Sequence, residues 1–385
     1  MKKSFIIKTI IPVICVATIA SSCSDDQTEQ PNPDREIVIN NDASSLDGRM
    51  TEKDEVINII PTANSGRSAS DISLRLRGEL APPVVDGKTL QATSIAERKD
   101  YFVVSYNFRG SEYGGAIDLL NSNLRLKSQI LFSDADISDV AFSGDDLYFV
   151  GASSSLSEPA FVERIGIRTS SETFTLDKQT RNSLGFYVAN SVTTSGNNVY
   201  VTTGNDDSRG GGLYKLDKSL NQQSYKKKKD ARWADAYGDK IFSITGIDGS
   251  ITVWNRNDMS KVRSFKHNGS IGEESKMTID VDKNMVFVAG GREGLLVYDL
   301  DGNFITKYTF GSNVVTNAVT ANRGKVFISN GEAGIFVASY DPFLELIGKL
   351  DLEENESVNH IVLNDNYLYL TSIILTPPRP EATYK

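Results

Sequence analysis

Three arginines occupy matching places after short apolar strands, Arg109, Arg209 and Arg292, and each has an acid close by: Glu112, Asp206 and Glu293. A guanidinium fork beside a carboxylate suits bidentate capture of a carboxylate or hydrogen bonding to sugar hydroxyls. Glu332 stands in a similar stretch, Asn330-Gly331-Glu332. Tyr106, Phe108, Tyr113 and Trp233 supply aromatic faces that would stack on a glycan, and Asp235 and His360 lie on segments that lead from one repeat to the next. These residues form the candidate ligand-binding set. The competing reading of the same residues is a group of solvated loops with local ion pairs.

Catalytic and metal chemistry find less support. His267 and His360 are the only histidines, 93 residues apart, and no cysteine is at hand to complete a zinc site. A Ser-His-Asp triad lacks a nucleophile elbow. Glycoside hydrolysis needs two carboxylates roughly 5–9 Å apart. Glu112, Asp206, Asp235, Glu293 and Glu332 are the available donors, and their spacing selects no pair. Gly87-Lys88-Thr89 lacks the upstream glycine of a phosphate-binding loop, because position 82 is Pro. Asp299-Leu300-Asp301-Gly302-Asn303 opens like a calcium loop but continues into Phe304, so it reads as a hairpin turn. The run Lys226 to Lys229 reads as an outer strand edge, where lysines discourage pairing with another molecule. No catalytic residue, cofactor or metal is expected.

The elements that must position the candidate residues repeat along the chain. Phe102, Tyr148, Tyr200, Phe242, Phe287, Phe327 and Tyr369 each sit in a short apolar strand, 40 to 52 residues apart and 44.5 on average. A period in the forties built from short strands marks a propeller blade. Before most of these strands comes a turn rich in Gly, Asn and Asp, such as Ser143-Gly144-Asp145-Asp146, as two-residue hairpins demand. No segment has a useful helical period. The expected fold is all-β, a seven-bladed propeller with blade starts near 92, 137, 190, 232, 275, 314 and 357. The last unit is short, and Asp71–Gly78 alternates ahead of the first, so an N-terminal strand is expected to complete the last blade. Eight blades would follow if residues 36–65 paired as a further half-blade.

The N-terminus carries a separate signal. Lys2, Lys3 and Lys8 precede the apolar stretch Ile10–Ala20, which is too short to span a bilayer. It ends in Ile19-Ala20-Ser21-Ser22-Cys23, which resembles a bacterial lipobox and implies cleavage after Ser22 and lipidation of Cys23. Ser24-Asp25-Asp26 resembles the acidic tag of lipoproteins exported to the outer surface in Bacteroidota. The expected organisation is a signal peptide over 1–22, lipidated Cys23 with a polar tether to residue 35, and the propeller over 36–385. The only other cysteine, Cys15, is lost with the signal, so the mature chain holds no disulfide. Its charge falls from −9 to −12, which argues against a nucleic-acid partner.

The repeats around Val286–Asp299 and Val326–Asp341, an aliphatic-aromatic strand followed by a Gly-rich turn and an apolar third strand, resemble the LVIVD-repeat propeller lipoproteins of Bacteroidota. That resemblance implies architecture and an outer-membrane location facing the exterior, and it carries no single activity. The expected function is a non-catalytic binding or scaffold protein that presents a loop face to a glycan, peptide or protein partner and meets the membrane through its lipid. The alternative is a propeller enzyme acting on polysaccharide, a lyase or glycoside hydrolase.

Overall fold

The computed structural model describes residues 37–62, 72–204, 210–246, 248–269, 276–341, 343–352, 356–364 and 367–374. Cys23 and its tether, Asp206 and Arg209 lie outside them. Apart from a helical turn at Ala43–Leu46 and a 3₁₀ turn at Asp47–Arg49, regular structure among the described residues is antiparallel strand.

Six consecutive segments fold as four-stranded meanders. Sheet 1 runs Gln91–Arg98, Tyr101–Asn107, Gly115–Asn121 and Leu126–Phe132; sheet 2 runs Ala135–Ser143, Asp146–Ser153, Ala160–Arg168 and Thr173–Ser183. Sheet 3 runs Val188–Ser195, Asn198–Gly204, Gly212–Asp217 and Gln222–Lys227; sheet 4 runs Ala231–Tyr237, Lys240–Thr245, Ser250–Asn255 and Lys261–Lys266. Sheet 5 runs Ile279–Asp282, Met285–Ala289, Leu295–Asp299 and Phe304–Tyr308; sheet 6 runs Ala318–Asn322, Lys325–Ser329, Ile335–Ser339 and Glu345–Leu350. A seventh unit follows as the hairpin Glu356–Leu363 with Leu368–Ile374. The first strands begin within about four residues of the starts expected from the repeat. Each first strand contacts the first strand of the following sheet, and that of the final hairpin contacts that of sheet 1. The first turns behave as their residues require: Gly144, Gly196 and Gly238 adopt φ of +66°, +61° and +59°, a region glycine enters without a Cβ penalty.

The repeated aromatics explain why successive sheets stack. Tyr148 packs with Val192 and Val199 of sheet 3, Phe242 with Ile279 and Val286 of sheet 5, and Phe287 with Val319 and Val326 of sheet 6. Tyr369 of the final hairpin meets Phe102 of sheet 1, with ring centroids 5.2 Å apart. Two of the three repeat tyrosines also hydrogen-bond across the junction through their hydroxyls. Tyr148 donates to the Lys218 carbonyl and Tyr200 to that of Arg256, both at 2.9 Å. Each such ring stabilises its junction by roughly 2–3 kcal/mol through burial.

The N-terminal arm departs from expectation. Ile37–Asn40 adds to the outer edge of sheet 1 along Leu126–Phe132, and Ile59–Pro61 adds to the outer edge of sheet 6 along Glu345–Leu350. Leu74–Leu80 pairs with Met50–Ile57. Residues 37–61 are thus divided among three sheets and form no half-blade of their own. The 74–80 strand meets the final hairpin through side chains: Ile57, Ile72 and Leu74 share a cluster with Val358, Ile361, Leu368 and Leu370. Arg49 fastens the arm, its fork 3.1 and 2.5 Å from the two oxygens of the fully buried Asp118 carboxylate.

Candidate functional site: a polar belt across the first strands

A first strand is hydrogen-bonded to its sheet on one side only, so its other edge leaves amides and carbonyls that need partners. Five first strands carry a register shift: at Ala92/Ser94, Ile137/Asp139, Ala189/Ser191, Ala231/Trp233 and Val358/His360. Such a bulge inserts one extra residue and re-aims a side chain. In three of them the inserted side chain reaches the next sheet's backbone: Thr93 donates to the Ile137 carbonyl (2.7 Å), Asn190 to Ala231 (2.8 Å) and Asn359 to Ala92 (3.3 Å).

The residues just beyond supply the reciprocal bonds, and together they link all seven units. Ser94 donates to Asp139 Oδ1 at 2.5 Å, and Asp139 Oδ2 accepts the Val192 amide at 2.9 Å. Ser191 Oγ accepts from Ala234 at 3.2 Å, Asp235 Oδ2 from Val281 at 3.1 Å and Asp280 Oδ2 from Ala321 at 2.7 Å. Thr320 accepts from Leu363 at 3.0 Å, and His360 Nδ1 from Ile95 at 3.3 Å. The last bond joins the final hairpin to sheet 1.

Within this belt one cluster concentrates charge. Lys276, entering sheet 5, hydrogen-bonds the carbonyls of Thr93 and, at 3.4 Å, Ser138, residues of sheets 1 and 2. Its ammonium lies 5.9 Å from the Trp233 ring, and Trp233 packs on His360 with centroids 5.3 Å apart. Burial pushes the Asp139 carboxyl up to about 6 although the Lys276 ammonium, Ser94 and the Val192 amide oppose the shift. Burial likewise lowers Lys276 to about 8, with Asp139 opposing. Burial and the nearby ammonium keep His360 neutral, its pKa well below the ordinary value. Asp235 and Asp280 are both pushed up by burial, Asp280 further because the Asp235 charge stands beside it.

The chemistry open to this cluster is limited by who donates to whom. Ser94, Asp139 and His360 lie within hydrogen-bond reach, Ser94 Oγ being 3.2 Å from His360 Nδ1. Yet the serine gives its proton to the aspartate, and Nδ1 accepts from a backbone amide. A nucleophilic triad needs imidazole between serine and acid; here serine stands between them. Among the described residues no group of three or more His, Cys, Asp or Glu side chains could hold a metal ion.

The sequence-derived candidates divide between this belt and the turns. Trp233, Asp235 and His360 belong to the belt, with the partners just given. Tyr106 is 1% exposed in the core with Leu90, Leu120 and Leu126, and offers no ring to a ligand. Arg109 and Glu112 are exposed and Tyr113 half-buried on the turn after the second strand of sheet 1. Glu112 pairs with Lys88 at 2.5 Å and Glu293 with Lys307 at 2.8 Å, local ion pairs. Arg292 and Glu332 are exposed on two turns of one shape, in which Gly291 and Gly331 have φ of +61° and +55°, and Gly294 and Gly334 both +82°. Sequence reasoning missed Ser94, Asp139, Lys276 and Asp280. A polar residue interrupting each first strand is the signal that points to three of them.

No family model and no curated protein matches the chain. The chain is similar to the crystal structure of a computationally designed protein, Ika8, at 12% identity over 83% of this chain and 94% of that one, with a TM-score of 0.48. At that level the likeness carries no argument.

Proposed function

We propose that the chain is a lipid-anchored seven-bladed propeller, similar to the LVIVD-repeat lipoproteins, that displays a loop face and binds a glycan, peptide or protein partner without transforming it. Support for seven blades comes from the cyclic contacts of the first strands and the side-chain bonds that link all seven units. The seventh blade would be the final hairpin flanked by the N-terminal pair 74–80 and 50–57, closing the ring without a covalent link. The observation that carries the binding reading is the use made of the belt's titratable groups. Asp139, Asp235, Asp280 and His360 each accept an amide from a neighbouring sheet, so they brace the fold. Exposed charged groups, Arg109, Arg292 and Glu332, stand on the turns.

The anchor follows from the lipobox-like end at Cys23. Membrane fractionation of cells expressing Cys23→Ala should find the protein in the soluble fraction, and retention in the membrane would refute the anchor. Glycan-array and cross-linking capture with the purified full chain test the display reading. Ligand binding weakened by Arg109→Ala or Arg292→Ala supports it. Release of reducing ends from a polysaccharide by the wild type would replace it with the enzyme reading.

A further inference from the structure

A half-buried first-strand carboxylate at the start of sheet 2 stands outside the bracing pattern. Asp136, near the start of sheet 2's first strand, accepts the Gly114 amide of sheet 1 at 3.2 Å. Unlike Asp139, Asp235 and Asp280, it receives no amide from the following sheet among the described residues. It is half-buried, and among the described residues no cation forms an ion pair with it. Tyr113, on the turn of sheet 1, directly precedes the Gly114 whose amide Asp136 accepts, and burial, Tyr187 and the Asp136 charge together raise its phenol pKa. Tyr187 immediately precedes sheet 3 and is 53% exposed. Three successive sheets thus bring a carboxylate without a counter-charge and two phenol rings to the end of the fold where the second-to-third-strand turns lie.

We propose that Asp136, Tyr113 and Tyr187 form a binding site for an organic cation, the guanidinium or ammonium group of a basic peptide side chain. The inference names the ligand for one part of the display face and rests on that reading. A carboxylate takes a guanidinium fork through two parallel hydrogen bonds, and phenol rings attract a cation over their faces. The acidic chain, with 50 Asp and Glu against 41 Lys and Arg, draws cations toward it. Burial raises the Asp136 carboxyl to about 6, the direction expected of an acid with no cation beside it. An anionic ligand is disfavoured by the same carboxylate. A neutral sugar would stack on the rings but leave the charge uncompensated.

Calorimetric titration of the full chain in detergent with Nα-acetyl-arginine amide, and with its uncharged citrulline counterpart, tests the site. The arginine probe should bind at least tenfold more tightly than the citrulline probe. Asp136→Asn should abolish that preference. Tyr187→Ala, at an exposed position, should weaken arginine binding severalfold with the melting temperature unchanged. Equal affinity for the two probes, no measurable binding of arginine, or full binding by Asp136→Asn would each overturn the inference. A glycan or protein that still binds Asp136→Asn through Arg109 or Arg292 would leave the display reading intact while this site fails. A wild type that binds arginine but no array or cross-linked partner separates the two the other way.

Discussion

Replacing Lys276 by Met keeps most of the side chain's length and removes its charge from beside Asp139, so the effect on stability should depend on pH in a defined way. In the intact protein burial has already pushed the Asp139 carboxyl from 3.8 up to about 6. The folded state therefore holds a proton that the unfolded chain has released. By linkage, stability falls as pH rises between those two values and is level above the higher one. The ammonium opposes this shift. Two unit charges ~5 Å apart at an effective dielectric of ~20 interact by about 3 kcal/mol, equivalent to about 2 units of pKa. Without Lys276 the falling window should extend upward by up to that amount. At pH 5 Asp139 is largely protonated in both proteins, and the difference reduces to an offset from the lost Thr93 and Ser138 bonds and the removed buried charge. Between pH 5 and 7.5 the variant should lose a further 2 kcal/mol or so relative to wild type. Urea unfolding followed by circular dichroism at pH 5, 6 and 7.5 reads this directly, and Lys276→Met combined with Asp139→Asn should erase the slope. A deficit that is the same at pH 5 and 7.5, or a slope that survives Asp139→Asn, would refute the electrostatic account of the cluster.

Two further outcomes follow from the belt and the arm. Asp280→Asn keeps an acceptor for the Ala321 amide and removes the acid that burial and Asp235 push up. Thermal melts should coincide near pH 3, where the acid is protonated in the folded and unfolded states alike, separate as pH rises, and favour the variant by at least about 1 kcal/mol near pH 9, where the wild-type pair is ionised; a gap that fails to open with pH would contradict the pairing. Arg49→Ala leaves the buried Asp118 carboxylate with Gln129, 2.8 Å away, and the Tyr106 hydroxyl as neutral side-chain donors and no counter-charge, at a cost of about 3–5 kcal/mol. Limited proteolysis should then cut within residues 37–80 first, and unchanged resistance there would count against the arm's attachment through Arg49.

The repeat was legible because each of its aromatics does the same job. Tyr148, Tyr200, Phe242 and Phe287 all fill the junction to the next sheet, a task that only a large apolar side chain at one strand position performs, so periodicity exposes it. The turn at Asp299–Asn303 was legible for a local reason: Asp299 Oδ1 accepts the Asp301 and Asn303 amides at 2.9 and 2.8 Å, a bond pattern written into adjacent residues. The N-terminal arm was not legible in the same way. Which sheet edge Ile37–Asn40 or Ile59–Pro61 covers depends on partners some 90 and 290 residues away, and alternation in a strand does not name its neighbour.

The belt was hidden for a different reason, and that reason separates fold from function in this chain. A junction needs a hydrogen-bond acceptor at one place, and Asp139, Ser191, Asp235, Asp280, Thr320 and His360 each meet the need. Six positions with four side-chain types leave no periodic residue to find. The same tolerance makes a belt residue chemically conspicuous in the sequence, as His360 and Asp235 are, although its lone pair is already taken by backbone. A first-strand acid becomes a candidate for binding only where the geometry withholds that amide. Asp136 meets this test, its amide coming from Gly114 of the preceding sheet, beside Tyr113. The criterion therefore ranks Asp136 above Asp235 and His360 as a ligand contact, which residue type and spacing alone could not do.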